Sequence, residues 1–259
     1  MSARLRTTLS IPASASTPPR LVVGELMKTF KGHVALANVS LSIVEHELVA
    51  VLGPSGAGKT TLFRCIAGLL KPDSGSVQLD GADIGQYIGR DRRRIAFVFQ
   101  QFNLVARLTA LENVLAGRLG HVPTWRGCLR RFERSDRLLA LECLDRVGLL
   151  GQATQRSDTL SGGQQQRVAI ARALAQQPRL IVADEPVASL DPNSAGSIMA
   201  LLRQIARSDG VAIICSLHQP HFARSYADRI IGLSRGRVVL DLPAGKFDQA
   251  ADAQLYRMS

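Results

Sequence analysis

The run Gly53-Pro54-Ser55-Gly56-Ala57-Gly58-Lys59-Thr60, followed by Thr61, has the residue types and spacing of a loop that wraps phosphate. Glycines bend the backbone tightly and bring its N–H groups close to phosphate oxygens, where a Cβ would obstruct them. Lys59 supplies a point charge for the terminal phosphates, and the Thr60 hydroxyl is a ligand for Mg²⁺. A second run, RLIVADE at 179–185, closes an apolar stretch with two acids. Asp184 there would hold Mg²⁺ through water, and Glu185 would polarise an attacking water as general base. Together the two runs assemble phosphoryl transfer from a nucleoside triphosphate to water, in which placement and charge stabilisation outweigh covalent chemistry.

A third stretch, LSGGQQQRVAIARAL at 160–174, offers another anion site about a hundred residues downstream. Ser161, Gly162 and Gly163 open a helix, and helix starts present unpaired N–H groups and a positive dipole end. Ser161 with Gln164 also fits a capping box, which accounts for the pattern by helix stability alone.

These residues need strands and helices to hold them. LVVGELMKTF, HVALANVSLSI and ELVAVLG are rich in β-branched residues and place several strands before the phosphate loop. KTTLFRCIAGLL has helical spacing and is expected to stop at Lys71-Pro72. GSVQLDG and RRIAFVFQ read as short strands. Between about 101 and 163 strands give way to helical spacing in TALENVLAGRL and DRLLALECLDRVGLL, which reads as a helical insertion. Alternation then resumes with RLIVAD, a helix behind LDPNS, VAIICSL, a short helix at HFARSYA, and the pair RIIGL and RVVL. Such alternation implies an α/β fold with a mostly parallel sheet covered on both faces. The expected organisation is a flexible basic tail over 1–20, one domain over 21–245, and a C-terminal tail over 246–259.

The 259 residues are 46% hydrophobic, enough for a real core, and no apolar run approaches the ~20 residues of a membrane-spanning helix. The net charge of +11 points to an acidic partner and is concentrated in RDRRR (90–94), RGCLRRFERSDR (126–137) and the N-terminal arm. Aromatic residues are few and not interleaved with basic ones, so nucleic acid is not the expected partner. Cys65, Cys128, Cys143 and Cys215 lack metal-ligand spacing and read as buried thiols in a cytosolic protein.

LSGGQ beside GPSGAGKT and IVADEP resembles the signature of ATP-binding cassette ATPases, over residues from Leu21 to about Leu242. The resemblance implies a P-loop NTPase (RecA-like) core with an N-terminal antiparallel β-subdomain and an inserted α-helical subdomain. It also implies ATP as the nucleotide and Mg²⁺ as its ion. In that family two cassettes pack head to tail, so the partner for the second glycine-rich helix start is a second copy of the chain. Ser161 and Gly163 would meet the opposite γ-phosphate, with Leu160, Gly162 and Gln164 shaping the turn. By the same likeness Gln100 would reach Mg²⁺ and the attacking water from a flexible connector, with Gln101 as the rival assignment. His218 resembles the switch histidine that contacts the γ-phosphate. Asp191 resembles the acid that crosses the dimer interface, although its place before Pro192 also makes it a helix N-cap. Phe30 sits where the family stacks a ring on adenine, and a core phenylalanine is the alternative.

FVFQQFNLVARLTALENVLAGRLG, the segment around Trp125, DEPVASLDP and LHQPHFARSYADRIIGL are similar to the ATP-binding subunits of bacterial phosphonate importers. Pro220-His221 departs from the Val-Asp of that pattern. Phosphite and hypophosphite importers are close relatives that these motifs do not separate. The implied setting is the cytoplasmic face of the bacterial inner membrane, with integral permease subunits and an external substrate-binding protein in the complex.

Overall fold

The computed structural model describes residues 18–257 except 88 and 130. Residues 1–17 of the expected basic tail lie outside them. Arg20, counted with that tail, is instead tied into the fold by ion pairs to Glu45 and Asp80.

Two sheets share the molecule. The first is antiparallel, in the order β2 (His33–Ile43), β1 (Leu21–Phe30), β4 (Ser74–Leu79), β5 (Ala82–Asp83). The expected alternation appears in β2, where Val39, Leu41 and Ile43 are buried. The second has six strands in the order β10 (Arg237–Pro243), β9 (Arg229–Ser234), β3 (Leu48–Leu52), β8 (Ala212–Ser216), β7 (Leu180–Ala183), β6 (Ile95–Val98). All its pairings are parallel except β9 with β10.

The central strands are apolar throughout because both of their faces are covered. In β3, Leu48, Ala50 and Leu52 enter one core while Val49 and Val51 enter the other. The second of these cores lies toward the antiparallel sheet and contains Leu62, Phe63 and Ile66 of α1 (Lys59–Ile66). The first is shared with α5 (Gly162–Ala175), α6 (Pro192–Asp209) and the helical insertion. α1 ends earlier than its apolar spacing implies, because Gly68 turns into the left-handed region (φ 67°) before Lys71-Pro72 is reached.

The insertion contains α2 (Ala110–Ala116), α3 (Thr124–Cys128) and α4 (Arg134–Arg146), with α2 and α4 packed on α5 and on each other. Thr109 and Glu112 form a capping box at the start of α2. Asn113, 1% exposed, accepts from the Val105 N–H (2.8 Å) and donates to Ser157 Oγ (2.8 Å), pinning the loop before α2. After α6 come α7 (Pro220–Tyr226) and, at the C-terminus, α8 (Gln249–Arg257). The stretch read as a tail is therefore partly built into the domain: Phe247 and Leu255 are buried in the larger core. Polar and apolar residues are about equal in number over 246–259, and the buried anchors Phe247, Ala251 and Leu255 recur every fourth residue, a helical stripe too short to stand out at the end of the chain. Among the described residues no helix is long and apolar enough to cross a membrane.

Candidate functional site

The parallel strands deliver the phosphate loop and both acids to their C-terminal ends, where ligands of open α/β sheets bind. β3 runs into the loop and α1 leaves it, with Gly58 as a left-handed N-cap (φ 103°). A Cβ on Gly58 would lie 2.5 Å from the Ala35 carbonyl oxygen, so close backbone approach requires glycine here. Lys59 is 6% exposed and folds back over the loop, donating to the carbonyls of Gly53 (2.7 Å) and Pro54 (3.0 Å). Burial pushes its ammonium pKa down, opposed by the charges of Glu185 and Asp184. Those two acids are therefore electrostatic neighbours of the loop lysine. Ser55 and Gly56 are exposed, Pro54, Thr60 and Thr61 half-buried, and Ala57 buried.

Ser216, at the end of β8, organises the acidic side. It is fully buried, donates from Oγ to Asp184 (2.8 Å) and accepts the Glu185 N–H (2.8 Å). One hydroxyl thus fixes the Asp184 carboxylate and the Glu185 backbone, which is in the left-handed region (φ 49°). Glu185 Oε1 lies 2.5 Å from Nε2 of the exposed His218, so the two meet side chain to side chain. The sequence reading passed over Ser216. The available signal was its place two residues before His218 in VAIICSLH, a small hydroxyl closing an apolar strand.

The other expected residues stand apart. Gln100 is exposed in the turn after β6, and Gln101 beside it is exposed too. Beyond them the carbonyls of Phe102 (2.9 Å) and Asn103 (2.6 Å) accept from Arg172 of α5. That arginine, also unread in the sequence, locks the connector after β6 to α5; burial lowers its pKa. At the start of α5 the capping box is present: Ser161 Oγ accepts from the Gln164 N–H (3.3 Å), and Gln164 Oε1 accepts from the Ser161 N–H (2.9 Å). Leu160 is buried beneath it, while Ser161 and Gly162 are exposed. Among the described residues no hydrogen bond joins 160–164 to the phosphate loop. A Cβ on Gly163 would lie 3.2 Å from Ser194 Oγ, so the helix start abuts the start of α6 instead.

Asp191 caps α6, accepting from the N–H groups of Asn193 (3.1 Å) and Ser194 (3.0 Å) with Pro192 in the first turn. These hydrogen bonds, led by that of the Ser194 side chain, hold its pKa below the usual carboxylate range. Phe30 ends β1 at 45% exposure with the Lys28 ammonium 5.5 Å from its ring centre, so it is no core phenylalanine. Cys65, Cys143 and Cys215 are buried free thiols. The Cys128 side chain lies outside the described residues.

Residues 36–188 match the ABC transporter family. The chain belongs to that family. A phosphonates import ATP-binding protein of Frankia casuarinae is 52% identical over 89% of this chain and 93% of its own length. One from Nostoc sp. is 49% identical over 89% of both chains. A hypophosphite import ATP-binding protein of Stutzerimonas stutzeri is 48% identical over 89% of this chain and 69% of its own. Among solved structures, the dimeric post-hydrolysis state of the ATP-binding cassette MJ0796, bound to ADP and phosphate, superposes with a TM-score of 0.75 at 38% identity. It covers 88% of this chain and 100% of that one. The ADP conformation of the MJ1267 cassette gives 0.83 at 26% identity over 94% and 100%. This ABC cassette therefore has the P-loop NTPase fold expected of it, and it binds and hydrolyses ATP.

Proposed function

We propose that this cassette is the ATP-hydrolysing subunit of a phosphonate importer. The observation that carries the reading is the 52% and 49% identity to phosphonate import ATP-binding proteins across nearly nine-tenths of the chain. The hypophosphite relative, at 48%, favours a second reading in which the same engine drives uptake of a smaller phosphorus oxyanion. The engine itself never touches cargo, so its residues speak to ATP rather than to the solute.

In the proposed cycle the loop from Gly53 to Thr61 cradles the phosphates, Lys59 exchanges its carbonyl partners for phosphate oxygens, and Phe30 stacks on adenine. Glu185 accepts the proton of the attacking water, with its backbone fixed through Ser216 and its carboxylate held by His218. His218, exposed beside it, also contacts the γ-phosphate. Thr60, Gln100 and Asp184 offer hydroxyl, amide and carboxylate oxygens, a hard donor set that fits Mg²⁺. Ser216 is the one hydrogen-bond donor to the Asp184 carboxylate among the described residues, leaving it acceptor capacity for an ion or its water. Once bound, Mg²⁺ supplies charge neutralisation on the phosphate oxygens.

A second copy completes the site. Its Ser161 and Gly163 face the γ-phosphate held by the first, with Leu160, Gly162 and Gln164 shaping that surface and Asp191 crossing the interface. The dimeric cassette among the solved relatives supports this arrangement. ATP held jointly links the copies, and hydrolysis loosens them. Integral permease subunits receive the motion. A groove of about 640 Å³ between α1, β4 and β6, lined by Leu69, Pro72, Tyr87 and Phe97 among others, suits a short permease helix. The complex, with its external substrate-binding protein, places this chain on the cytoplasmic face of the inner membrane.

Growth with and without the gene, on methylphosphonate, hypophosphite or phosphate as sole phosphorus source, tests the cargo. Loss on methylphosphonate alone is expected. Loss on hypophosphite alone selects the second reading, and growth on all three without the gene overturns both.

A further inference from the structure

The two arginine-rich segments at 90–94 and 126–137 meet in the fold. Arg93 donates to the Gly120 carbonyl (3.3 Å), and a Cβ on Gly127 would lie 3.0 Å from Leu119 Cδ2. α3 is thereby seated beside the end of α2 and the segment before β6. The Arg131 N–H donates to the Arg126 carbonyl (2.9 Å), turning the chain back after the helix. On this small lobe stand Leu119, Trp125 and Leu129, exposed by 48%, 57% and 62%. Arg126 lies over the Trp125 ring, 5.3 Å from its centre.

The charges around these apolar residues are one-sided. Glu133 is paired with Arg126, and Asp136 with Arg118 (2.8 Å). Arg131, Arg134 and Arg137 remain exposed, and Asp91 is the exposed acid on the 90–94 segment. A protruding tryptophan and leucines set among arginines match the chemistry of a bilayer interface. Indole and aliphatic groups enter the headgroup boundary there, while guanidinium groups stay with phosphates. A protein helix would need a groove, and the 640 Å³ groove includes Arg92 but no residue of 118–137.

We infer that the face carrying Leu119, Trp125 and Leu129, with the exposed Arg131, Arg134 and Arg137 that follow in the chain, contacts the anionic headgroup layer of a membrane. The inference does not depend on the identity of the cargo.

Trp125 is the only tryptophan of the chain, so its fluorescence reports on this face alone. Full-length protein is mixed with vesicles of phosphatidylcholine, with or without about one-third phosphatidylglycerol, and followed by tryptophan emission and flotation. Anionic vesicles should shift the emission to the blue and carry the protein upward; neutral vesicles should do neither. Replacing Arg131, Arg134 and Arg137 together by Gln should weaken flotation by roughly fivefold per arginine, and ATP hydrolysis in solution should be unchanged. Trp125→Ala should float less with the same hydrolysis. An unmoved emission, equal binding to neutral vesicles, or flotation that survives both variants overturns the proposal. So does a shift seen only with purified permease in neutral nanodiscs, which would make the partner a protein.

Discussion

The ends of β7 and β8 and the start of α5 both serve phosphate in the proposed cycle, and they are built in opposite ways. At the strand ends Asp184 and Ser216 are buried, and one hydroxyl binds a carboxylate and a backbone N–H at the same time. At the start of α5, Ser161 and Gly162 are exposed, and the capping box satisfies itself from within the helix. The first region positions chemistry through neighbours from two adjacent strands. The second presents a surface whose hydrogen bonds close within its own helix start, seated against the start of α6. In the proposed cycle the catalytic side is finished within one chain, and the remaining wall of the pocket comes from the second copy.

The contrast is broken most severely at the catalytic side. Glu185→Gln should cut ATP hydrolysis by roughly 10²–10⁴ while ATP binding and ATP-dependent dimerisation persist; unchanged turnover in a phosphate-release assay would remove Glu185 from its role. Ser161→Glu attacks the open clasp, placing a negative charge toward the opposite phosphate. ATP-driven dimerisation, followed by analytical ultracentrifugation, should weaken at least about tenfold, with one-copy ATP affinity within about twofold. Equal loss of both would mean that the two regions are not separate.

Ser216→Ala tests how much organisation a single hydroxyl supplies. It leaves the part-buried Glu185 N–H without its acceptor, and urea unfolding should show a loss of about 1–3 kcal/mol. Turnover should drop about tenfold with little change in the ATP concentration needed for half-saturation, since the phosphate loop is untouched. Arg172→Met removes two donors from the connector carbonyls and should cost a similar 1–3 kcal/mol by the same measurement. The smallest effect concerns the thiols, whose pKa values burial pushes up to about 11 for Cys65 and Cys143 and about 12 for Cys215. At pH 8 these groups stay protonated and shielded, so Ellman's reagent should quickly consume at most one of the four thiols in native protein and all four in denaturant.

Much of this was legible in the residues because the informative patterns are local. GPSGAGKT needs a strand before it and a helix after it, and β3 and α1 provide them. SGGQ gave both the helix start and its capping box, because those bonds span three residues. Asp191 as an N-cap followed from Pro192 in the same way. What stayed hidden depends on distance along the chain. Ser216 acts on Asp184 from 32 residues away, and Arg172 holds Phe102 from 70 residues away. Arg172 has no spacing that marks it, and Ser216 has only its place two residues before His218. The early end of α1 was masked because Leu69 and Leu70 continue the apolar rhythm past the glycine that stops it. α3 lacks the length for any periodicity, and α8 is so short that the buried pair Ala251 and Leu255, four residues apart, makes too brief a pattern to mark it.

The guanidinium of Arg172 also has a mechanical meaning. Because it grips two successive carbonyls just past Gln100, it ties the connector directly to α5. In the proposed cycle a tug on that connector would reach Ser161 and its neighbours at the head of the same helix, gearing readiness at one nucleotide to presentation to the other.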